Sequence, residues 1–450
     1  MGQAGGRGMP RAGRGMQETG RGTRATGRGT RGARRVLAGW AGLAGLAGRA
    51  GLEKRELARL AAAMLAALAV AGGTAGCEAT EEGGRDATEG PATQTTLYSE
   101  EAIPTLELRF ASQAWKDFLT HWTRREPGIE EPCDVGYGGV WFNGAACRPK
   151  GNEGDWDEEA RPQFLVTFNR TDKDARFYGL RKLDLEANRN HAAPIRDRLA
   201  MRMMQDAGVE APRVNHVRVL LNGTYYGLYQ NVEYVNQEFV KARYEGGVGN
   251  LYEKGTKLTT HEDEGDTSDL QALQALVAGE PLAGDHATFF ASLATMVDVP
   301  QVIRVMAAEV VLPSYDNFSN GSWNYWWYHV PGGKFVLIPW DLDDCLSSLA
   351  PADADPYTFT GHASAPNRLR QLIDANPLWH QAFVDALVEI RDGPYAAMQS
   401  RVAEVCAQVR PAFATDPNPN ATVEAFDADC TDVAARVAAR RAFLVQALGK

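Results

Sequence analysis

Three aspartates and one asparagine between residues 313 and 344 have the types and spacing of a site that handles phosphate. Asp316 follows an apolar helical stretch, Asn324 comes shortly after it, and Asp341 and Asp343 directly follow an apolar run. Magnesium prefers oxygen ligands of this kind, and phosphoryl transfer needs such a metal together with a carboxylate near the attacking hydroxyl. The segment therefore predicts magnesium and phosphate chemistry.

The order of these residues is similar to that in eukaryotic-type kinases, which have a loop aspartate, a downstream asparagine and a metal-binding aspartate after a short strand. In this interpretation Asp316 is the catalytic, base-like residue and Asp341 is the principal metal ligand. Asn324 is a second metal ligand, and Asp343 assists. The spacing alone also allows a polar hairpin in which Asp and Asn side chains only cap turns.

Apolar periodicity predicts the elements that hold these residues. The run Phe335–Ile338 reads as a buried strand, which gives Asp341 a rigid support. Apolar residues from Ile195 to Met204 recur at helical spacing and predict a helix. Pro194 suits its start and Gly208 suits its end. Alternation predicts strands at residues 106–110, 163–168 and 217–221, and Asn222-Gly223 predicts a hairpin turn into a strand at 225–232.

Beyond Gly255 the apolar spacing becomes helical. The predicted helices lie at residues 270–277, 289–296, 302–311, 378–409 and 433–448. A strand-rich part followed by a helix-rich part predicts an α+β fold with two lobes, a first lobe at about 106–255 and a second at about 256–450. Ligands often bind where two such lobes meet.

Two blocks of the sequence carry a family resemblance. The first block, residues 177–239, and the second, residues 315–344, contain these matching segments: Gly179–Leu185, Ile195–Ala200, Gly208–Arg213, Asn222–Tyr229, Asp316–Phe318, Asn324-Tyr325 and Pro339–Asp343. Together they resemble the CotH family, the atypical secreted kinases first known from bacterial spore coats. The resemblance implies a divergent protein-kinase-like fold that uses ATP and Mg²⁺, with Asp316 at the catalytic position and Asp341 at the metal-binding position.

The same resemblance gives candidates for the nucleotide site. Residues 148–154 resemble the family's Arg-x-Lys-Gly-Asn loop, so Arg148, Lys150 and Gly151 are expected near phosphates, although a plain surface turn is the alternative. Lys182, on a predicted strand, is expected to pair with the phosphates, and Glu233 to lie near the hinge between the lobes. Ordinary strand-edge positions are the alternative for both. Arg161 stands close to where the family pattern has a lysine.

The N-terminal part of the sequence predicts export. Residues 1–51 are mostly Gly, Ala and Arg and cannot form a core. Residues 52–76 combine basic residues, a short apolar run and small residues, as a signal peptide does, although a buried helix is the alternative. Cys77 follows Ala75-Gly76 as in a bacterial lipobox, which predicts lipidation, and residues 77–105 predict an acidic tether. We expect the native start near Leu52.

Charge and cysteine content narrow the class of protein. Without residues 1–76 the chain has 34 basic against 54 acidic residues, a net charge near −20, which argues against nucleic acid as a partner and leaves a lipid anchor as the contact with a membrane. Cys133 with Cys147, and Cys406 with Cys430, bracket short loops and predict two disulfides outside the cytosol. Cys345 is left over.

These observations favour an exported, lipid-anchored protein kinase at the cell envelope. Its substrates would be Ser or Thr hydroxyls of surface or coat proteins, phosphorylated with ATP and magnesium. A non-catalytic adhesion or assembly module on a kinase-like fold is the alternative. A third interpretation is transfer or hydrolysis of another phosphorylated metabolite at the same site.

Overall fold

The computed structural model describes residues 92–151, 161–187, 189–361 and 363–449. The low-complexity segment, the signal peptide, Cys77 and most of the predicted tether lie outside the described residues. Helix α1 (Gln94–Leu97) is followed by Tyr98, and the side chains of Leu97 and Tyr98 are buried against the first sheet. The folded part therefore begins before Leu106, because these two side chains supply apolar surface that the sheet covers. Within the described residues, no helix is long and apolar enough to cross a membrane.

The first lobe is a closed barrel of seven strands. Their order around the barrel is β1-β2-β3-β4-β5-β7-β6, and the closing pair, β1 with β6, is parallel while the others are antiparallel. The strands are β1 (Thr105–Arg109), β2 (Glu131–Tyr137), β3 (Val140–Lys150), β4 (Gln163–Thr167), β5 (Lys182–Glu186), β6 (Val214–Leu221) and β7 (Thr224–Val232).

Aromatic packing and a disulfide stabilise the barrel. Helix α2 (Ser112–Thr123) stacks Phe118 on Phe164 of β4, with 5.0 Å between ring centroids. Cys133 and Cys147 form the predicted disulfide between β2 and β3. At the predicted β6–β7 hairpin, Asn222 and Gly223 have φ angles of 50° and 82°, as a tight two-residue turn requires.

Two helices, α3 and α4, are adjacent in sequence to the later strands of the barrel. Helix α3 (Arg196–Asp206) stands where the sequence predicted a helix, and Gly208 ends it with a φ of 76°. Its apolar face, which includes Leu199 and Met203, packs into the core of the second lobe. Helix α4 (Gln237–Arg243) follows β7. Helix α3 is thus a rigid link between the two lobes.

The second lobe combines a small sheet with eight helices among the described residues. Its sheet has the order β11-β10-β8-β9, formed by β8 (Asn250–Glu253), β9 (Lys257–Leu258), β10 (Tyr325–His329) and β11 (Phe335–Pro339). The helices are α5 (Ser268–Gly279), α6 (Ala287–Met296), α7 (Val299–Val311), α8 (Phe318–Gly321), α9 (Arg368–Asp374), α10 (Pro377–Asp392), α11 (Pro394–Ala414) and α12 (Val423–Leu448).

The two-lobed α+β arrangement is confirmed, and the strands next to the predicted boundary, at about residue 255, pair with the second sheet. Strand β8 pairs with β10, with Tyr252 opposite Trp327, so residues 250–258 belong to the sheet of the second lobe. Strands β8 and β9 were not among the predicted strands. The sheet that they join is decided by pairing with β10, whose residues lie more than seventy positions away.

The long connection between β11 and α9 is held against the helices of the second lobe. The buried guanidinium of Arg440, on α12, donates hydrogen bonds to the carbonyl groups of Val310, Val311, Ala352 and Ala354. The predicted disulfide between Cys406 and Cys430 joins α11 to α12. Cys345 is buried and unpaired by any disulfide within the described residues.

Candidate active site

Asn324 brings the predicted catalytic and metal-binding residues together. Its amide nitrogen donates to the carboxylate of Asp316 at 2.9 Å, to the carbonyl of Asp316 at 3.0 Å and to the carbonyl of Asp341 at 3.0 Å. Asn324 and Asp341 both have left-handed backbones, with φ angles of 53° and 51°. These are strained for residues with a Cβ, although Asn and Asp tolerate them best, and such strain gathers at functional sites.

The turn after β11 carries three acidic residues, Asp341, Asp343 and Asp344, on the two sides of Leu342. Asp341 and Asp343 line the cleft, and the carboxylate of Asp343 accepts a hydrogen bond from Asn190 at 3.3 Å. Asp344 lies 3.7 Å from the imidazole of His191. The rigid support predicted for Asp341 is present, because every residue of β11 is buried.

The carboxylates of this cleft have unusual proton affinities. Burial, together with the charges of Asp341 and Asp344, raises the pKa of Asp316 to about 7. Burial and Asp341 raise the pKa of Asp197 to about 8, and the same two causes raise that of Asp343 well above its ordinary value. Carboxylates this close cannot all stay ionised without a compensating cation. The donor set therefore fits a divalent metal.

Asp341, Asn324 and Asp343 are the residues that would hold this metal. Because the amide nitrogen of Asn324 makes three hydrogen bonds, only its amide oxygen is suited to a metal contact. Within the described ranges, no three Asp, Glu, His or Cys side chains form a metal cage by themselves. Magnesium at phosphoryl-transfer sites usually takes one or two carboxylates and completes its shell with phosphate and water, so these residues fit a metal that binds together with a nucleotide.

A buried carboxyl group supports the loop that carries Asp316. Glu309, on α7, accepts hydrogen bonds from the backbone N–H of Ser319 at 2.9 Å and from its hydroxyl at 2.6 Å. The side chain of Asn317 caps the N–H of Asn320, whose own amide donates to the carbonyl of Ser314. The loop between α7 and β10 is thus fixed by interactions inside the second lobe.

Glu309→Gln is expected to remove part of the pH dependence of stability. Burial raises the pKa of Glu309 to about 7 from its ordinary 4.5, so between these values the unfolded chain loses a proton that the folded chain keeps. The unfolding free energy of the wild type should therefore fall by about 3 kcal/mol, relative to the variant, as pH rises from 4.5 to 7. Urea unfolding across this range measures the difference. Glu404→Gln, at an exposed site, should match the wild type, and parallel profiles for wild type and Glu309→Gln would contradict the expectation.

The opposite wall of the cleft is formed by the barrel. Arg148, Lys150 and Gly151, at the end of β3, all line it, while Asn152, Glu153 and Gly154 lie outside the described residues. The ammonium group of Lys150 donates to the carboxylate of Asp184 at 2.7 Å and also contacts that of Glu186. Burial works to lower the pKa of Lys150, but these two carboxylates outweigh it and hold the pKa above its usual value. Lys150 is therefore a charged group facing the cleft.

Two predicted nucleotide-binding residues lie elsewhere. Lys182 does not line the cleft; its ammonium group lies 4.5 Å from the ring centre of Tyr234, which does. Glu233 is buried, and its carboxylate is bound by Arg213 at 2.8 Å and Arg243 at 2.6 Å. The structure therefore does not support a nucleotide-binding role for Glu233, because both its oxygens are used in holding α4 and β6 together.

A loop of the second lobe closes one side of the cleft. Asp416, at the end of α11, accepts hydrogen bonds from Arg161 at 2.5 Å and from the N–H of Leu228 at 2.9 Å. Residues 417–420 line the cleft, and Asn418 donates to the carbonyl of Tyr226 at 2.8 Å. Arg161, at the position where a lysine was expected, thus joins the lobes. The cleft encloses about 1170 Å³, above the range of about 300–1,000 Å³ usual for small-ligand pockets, so it has room for a nucleotide and part of a second substrate.

Several residues of this cleft were missed from the sequence. They are Asp184, Glu186 and Asp197, and with them Asp416, which holds the loop that closes the cleft. The first two alternate with Lys182 along β5, and Asp197 lies in one of the matching segments, Ile195–Ala200. A charged residue within a predicted strand or at the start of a predicted helix was the signal that could have marked these three as site residues. Asp416 lies in a loop and offered none.

Comparisons with known proteins agree with this geometry. A family model described as CotH kinase protein matches residues 148–444. Inner spore coat protein H of Bacillus subtilis (strain 168) is 22% identical over 273 residues, which cover 56% of this chain and 74% of that protein. The crystal structure of the Helicobacter pylori proinflammatory kinase CtkA aligns with 67% of this chain and 92% of that chain, at a TM-score of 0.34 and 9% identity, a likeness too distant to support an inference. Because the family model spans well over half of the chain, the protein belongs to the CotH kinase family.

Proposed function

We propose that the protein is an exported protein kinase that transfers the γ-phosphoryl group of ATP, with magnesium, to Ser or Thr hydroxyls of surface or coat proteins. The observation that carries this proposal is the cleft between the lobes. One wall presents Asp316, Asn324 and Asp341, and the other presents Arg148 and Lys150. A cluster of carboxylates facing a pair of cations is what a magnesium-bound triphosphate requires.

Each residue has a chemical task in this proposal. The substrate hydroxyl oxygen forms a bond to the γ-phosphorus while the bond from that phosphorus to the β–γ bridging oxygen breaks, and ADP leaves. The hydroxyl proton passes to the carboxylate of Asp316, whose pKa near 7 suits a base at neutral pH. Arg148 and Lys150 bind phosphate oxygens. Asp341 and Asn324 would hold magnesium, which would neutralise part of the phosphate charge.

Location outside the cytosol is supported by sequence features. Residues 52–76 read as a signal peptide and Cys77 as a lipidation site, which would anchor the protein at the cell envelope. The two disulfides are of a kind that persists in oxidising compartments. The name of the Bacillus subtilis relative, Inner spore coat protein H, makes coat proteins a reasonable first set of substrates.

The test is transfer of labelled phosphate from ATP in the presence of magnesium, with an envelope or coat protein fraction as acceptor. We expect label on protein Ser or Thr with the wild type and none with Asp341→Ala. Binding of the acceptor proteins that is unchanged by Asp341→Ala, with no nucleotide turnover by either protein, would overturn the kinase proposal in favour of an adhesion or assembly module. Turnover of ATP without label on protein would point to a different phosphoryl acceptor.

A further inference from the structure

The turn that carries Asp341 is bonded at three successive backbone positions. The N–H of Trp340 donates to the carbonyl of Asn324 at 3.0 Å, and the carbonyl of Asp341 accepts from the Asn324 side chain at 3.0 Å. The N–H of Leu342 donates to the carboxylate of Asp197 at 3.0 Å. The first two bonds come from the same loop, whereas the third comes from helix α3. The turn is therefore closed by a group that lies 145 residues away in the chain.

This third bond acts where the backbone is strained. Asp341 has a φ of 51°, a left-handed conformation that is unfavourable for a residue with a Cβ. Such a conformation persists only when surrounding contacts hold it. The bond from Leu342 to Asp197 fixes the peptide group directly after Asp341, so it helps to select the conformation in which the Asp341 side chain faces the cleft.

Helix α3 is anchored well enough to serve as a fixed support. Arg196 forms a two-pronged ion pair with Asp429 of α12, at 2.9 and 2.7 Å, and Asp429 also accepts the N–H of Ala193 at 2.8 Å. The carbonyl of Arg196 accepts a hydrogen bond from the thiol of Cys345 at 3.8 Å. Leu199 of the same helix is buried in the core that contains Leu342. The start of α3 is therefore tied both to α12 and to the turn itself.

The side chain of Asp197 has little exposure of its own. It is 4% exposed, and its neighbours on the cleft side are Glu186, Lys150 and Asp341. Its hydrogen-bond partner in the structure is a backbone N–H, which needs an acceptor oxygen but not a negative charge. Asparagine at this position would keep the acceptor oxygen but lose the negative charge. The Asp197→Asn variant therefore separates a positioning role, which needs only the oxygen, from the role of a direct metal ligand, which needs the charge.

We propose that Asp197 is a positioning residue, which holds the Asp341 turn in its left-handed conformation by accepting the N–H of Leu342. This inference rests on the proposed function for its consequence in phosphoryl transfer, but not for the hydrogen bond itself. It assigns to helix α3 a direct contact with the metal-binding turn, in addition to its packing between the lobes.

Hydrogen exchange of the full-length protein, measured by mass spectrometry on peptides covering residues 340–346, tests the bond. We expect Asp197→Ala to increase exchange in this segment by about tenfold or more, and Asp197→Asn to remain within about threefold of the wild type. Asp206→Ala, at the far end of the same helix, is the matched control and should leave the segment unchanged. Exchange in Asp197→Ala that equals that of the wild type would overturn the proposal, as would equal increases in the Asn and Ala variants.

Affinity for a divalent cation gives a second readout. Binding of Mn²⁺, followed by electron paramagnetic resonance in the presence of ATP, should weaken about 10- to 100-fold in Asp197→Ala and little in Asp197→Asn. An equal loss of Mn²⁺ affinity in both variants would show that Asp197 acts through its negative charge, and the positioning role would then be wrong. Phosphate transfer is measured in parallel. If the wild type transfers no phosphate, the kinase proposal fails, while the exchange data still decide the role of Asp197.

Discussion

Replacing Asp316 with Asn is expected to lower the turnover number for phosphate transfer by about 10²- to 10⁴-fold, the usual contribution of a positioned base. The amide of the variant can still accept the hydrogen bond from Asn324, so the loop should keep its conformation. It cannot accept the proton of the substrate hydroxyl. The KM for ATP should stay within about threefold of the wild type, because only an interaction of the transition state is lost.

Steady-state kinetics with labelled ATP measure both constants. Asp263→Asn, at an exposed position outside the cleft, is the matched control and should behave as the wild type. A large rise in the KM for ATP with an unchanged turnover number would show that Asp316 serves nucleotide binding, and the base assignment would then be wrong.

Lys150→Met is expected to reduce kcat/KM for ATP by about 100-fold or more, because it removes a cation that faces the phosphates. The variant also leaves the carboxylates of Asp184 and Glu186 without the ammonium group that bonds both of them. Unpaired carboxylates at the nucleotide site would repel the triphosphate and cost stability. Thermal unfolding must therefore accompany the kinetics, so that loss of fold is distinguished from loss of binding.

Lys182→Met is the matched control for this prediction. Both lysines lie at the end of a barrel strand, but the ammonium group of Lys182 lies over the ring of Tyr234 and does not line the cleft. We expect its kcat/KM to stay within about threefold of the wild type. If Lys182→Met were as damaging as Lys150→Met, the sequence-based role of Lys182 in phosphate binding would be restored.

Local patterns predicted several elements because their signals lie within short stretches of chain, whereas the predicted helix at 378–409 is two helices that meet at Gly393. The strand before Asp341, the Asn222-Gly223 hairpin and helix α3 each depend on periodicity or turn chemistry that neighbouring residues provide. The grouping of Asp316, Asn324 and Asp341 was also predicted, because the order of a loop, two strands and a turn brings them together. Both disulfides were predicted, since each pair brackets a short loop.

Lys150 and Lys182 were both predicted near the phosphates, and the choice between them could not be made from local patterns. Strand alternation places Lys182, Asp184 and Glu186 on one face of β5, so periodicity treats the three alike. The register between strands decides among them. Arg148 and Asp184 both lie opposite Leu165 of β4. Lys150 therefore lies opposite Gln163 and reaches the carboxylates, whereas Lys182 lies opposite Thr167, further along β4. Register depends on pairings across the whole barrel.

Other differences also arise from partners that lie in other elements of the fold. Arg161 looked like a departure from the family pattern, but it meets Asp416, 255 residues later. Glu233 resembled a hinge residue, yet its carboxylate is held by Arg213 and Arg243. The first pair forms only when the two lobes are assembled, and the second only when α4 packs beside β6 and β7, so periodicity within one element predicts neither.

The parallel pairing of β1 with β6 has a consequence for the order in which the chain folds. Asn222, just after β6, accepts the N–H of Phe110, just after β1, across 112 residues. Closing so long a loop is entropically costly and slow, whereas the β6–β7 hairpin needs only neighbouring residues. The barrel therefore closes late, after synthesis has passed residue 221. Until then β1 presents an unpaired edge, the kind of edge through which partly folded chains associate.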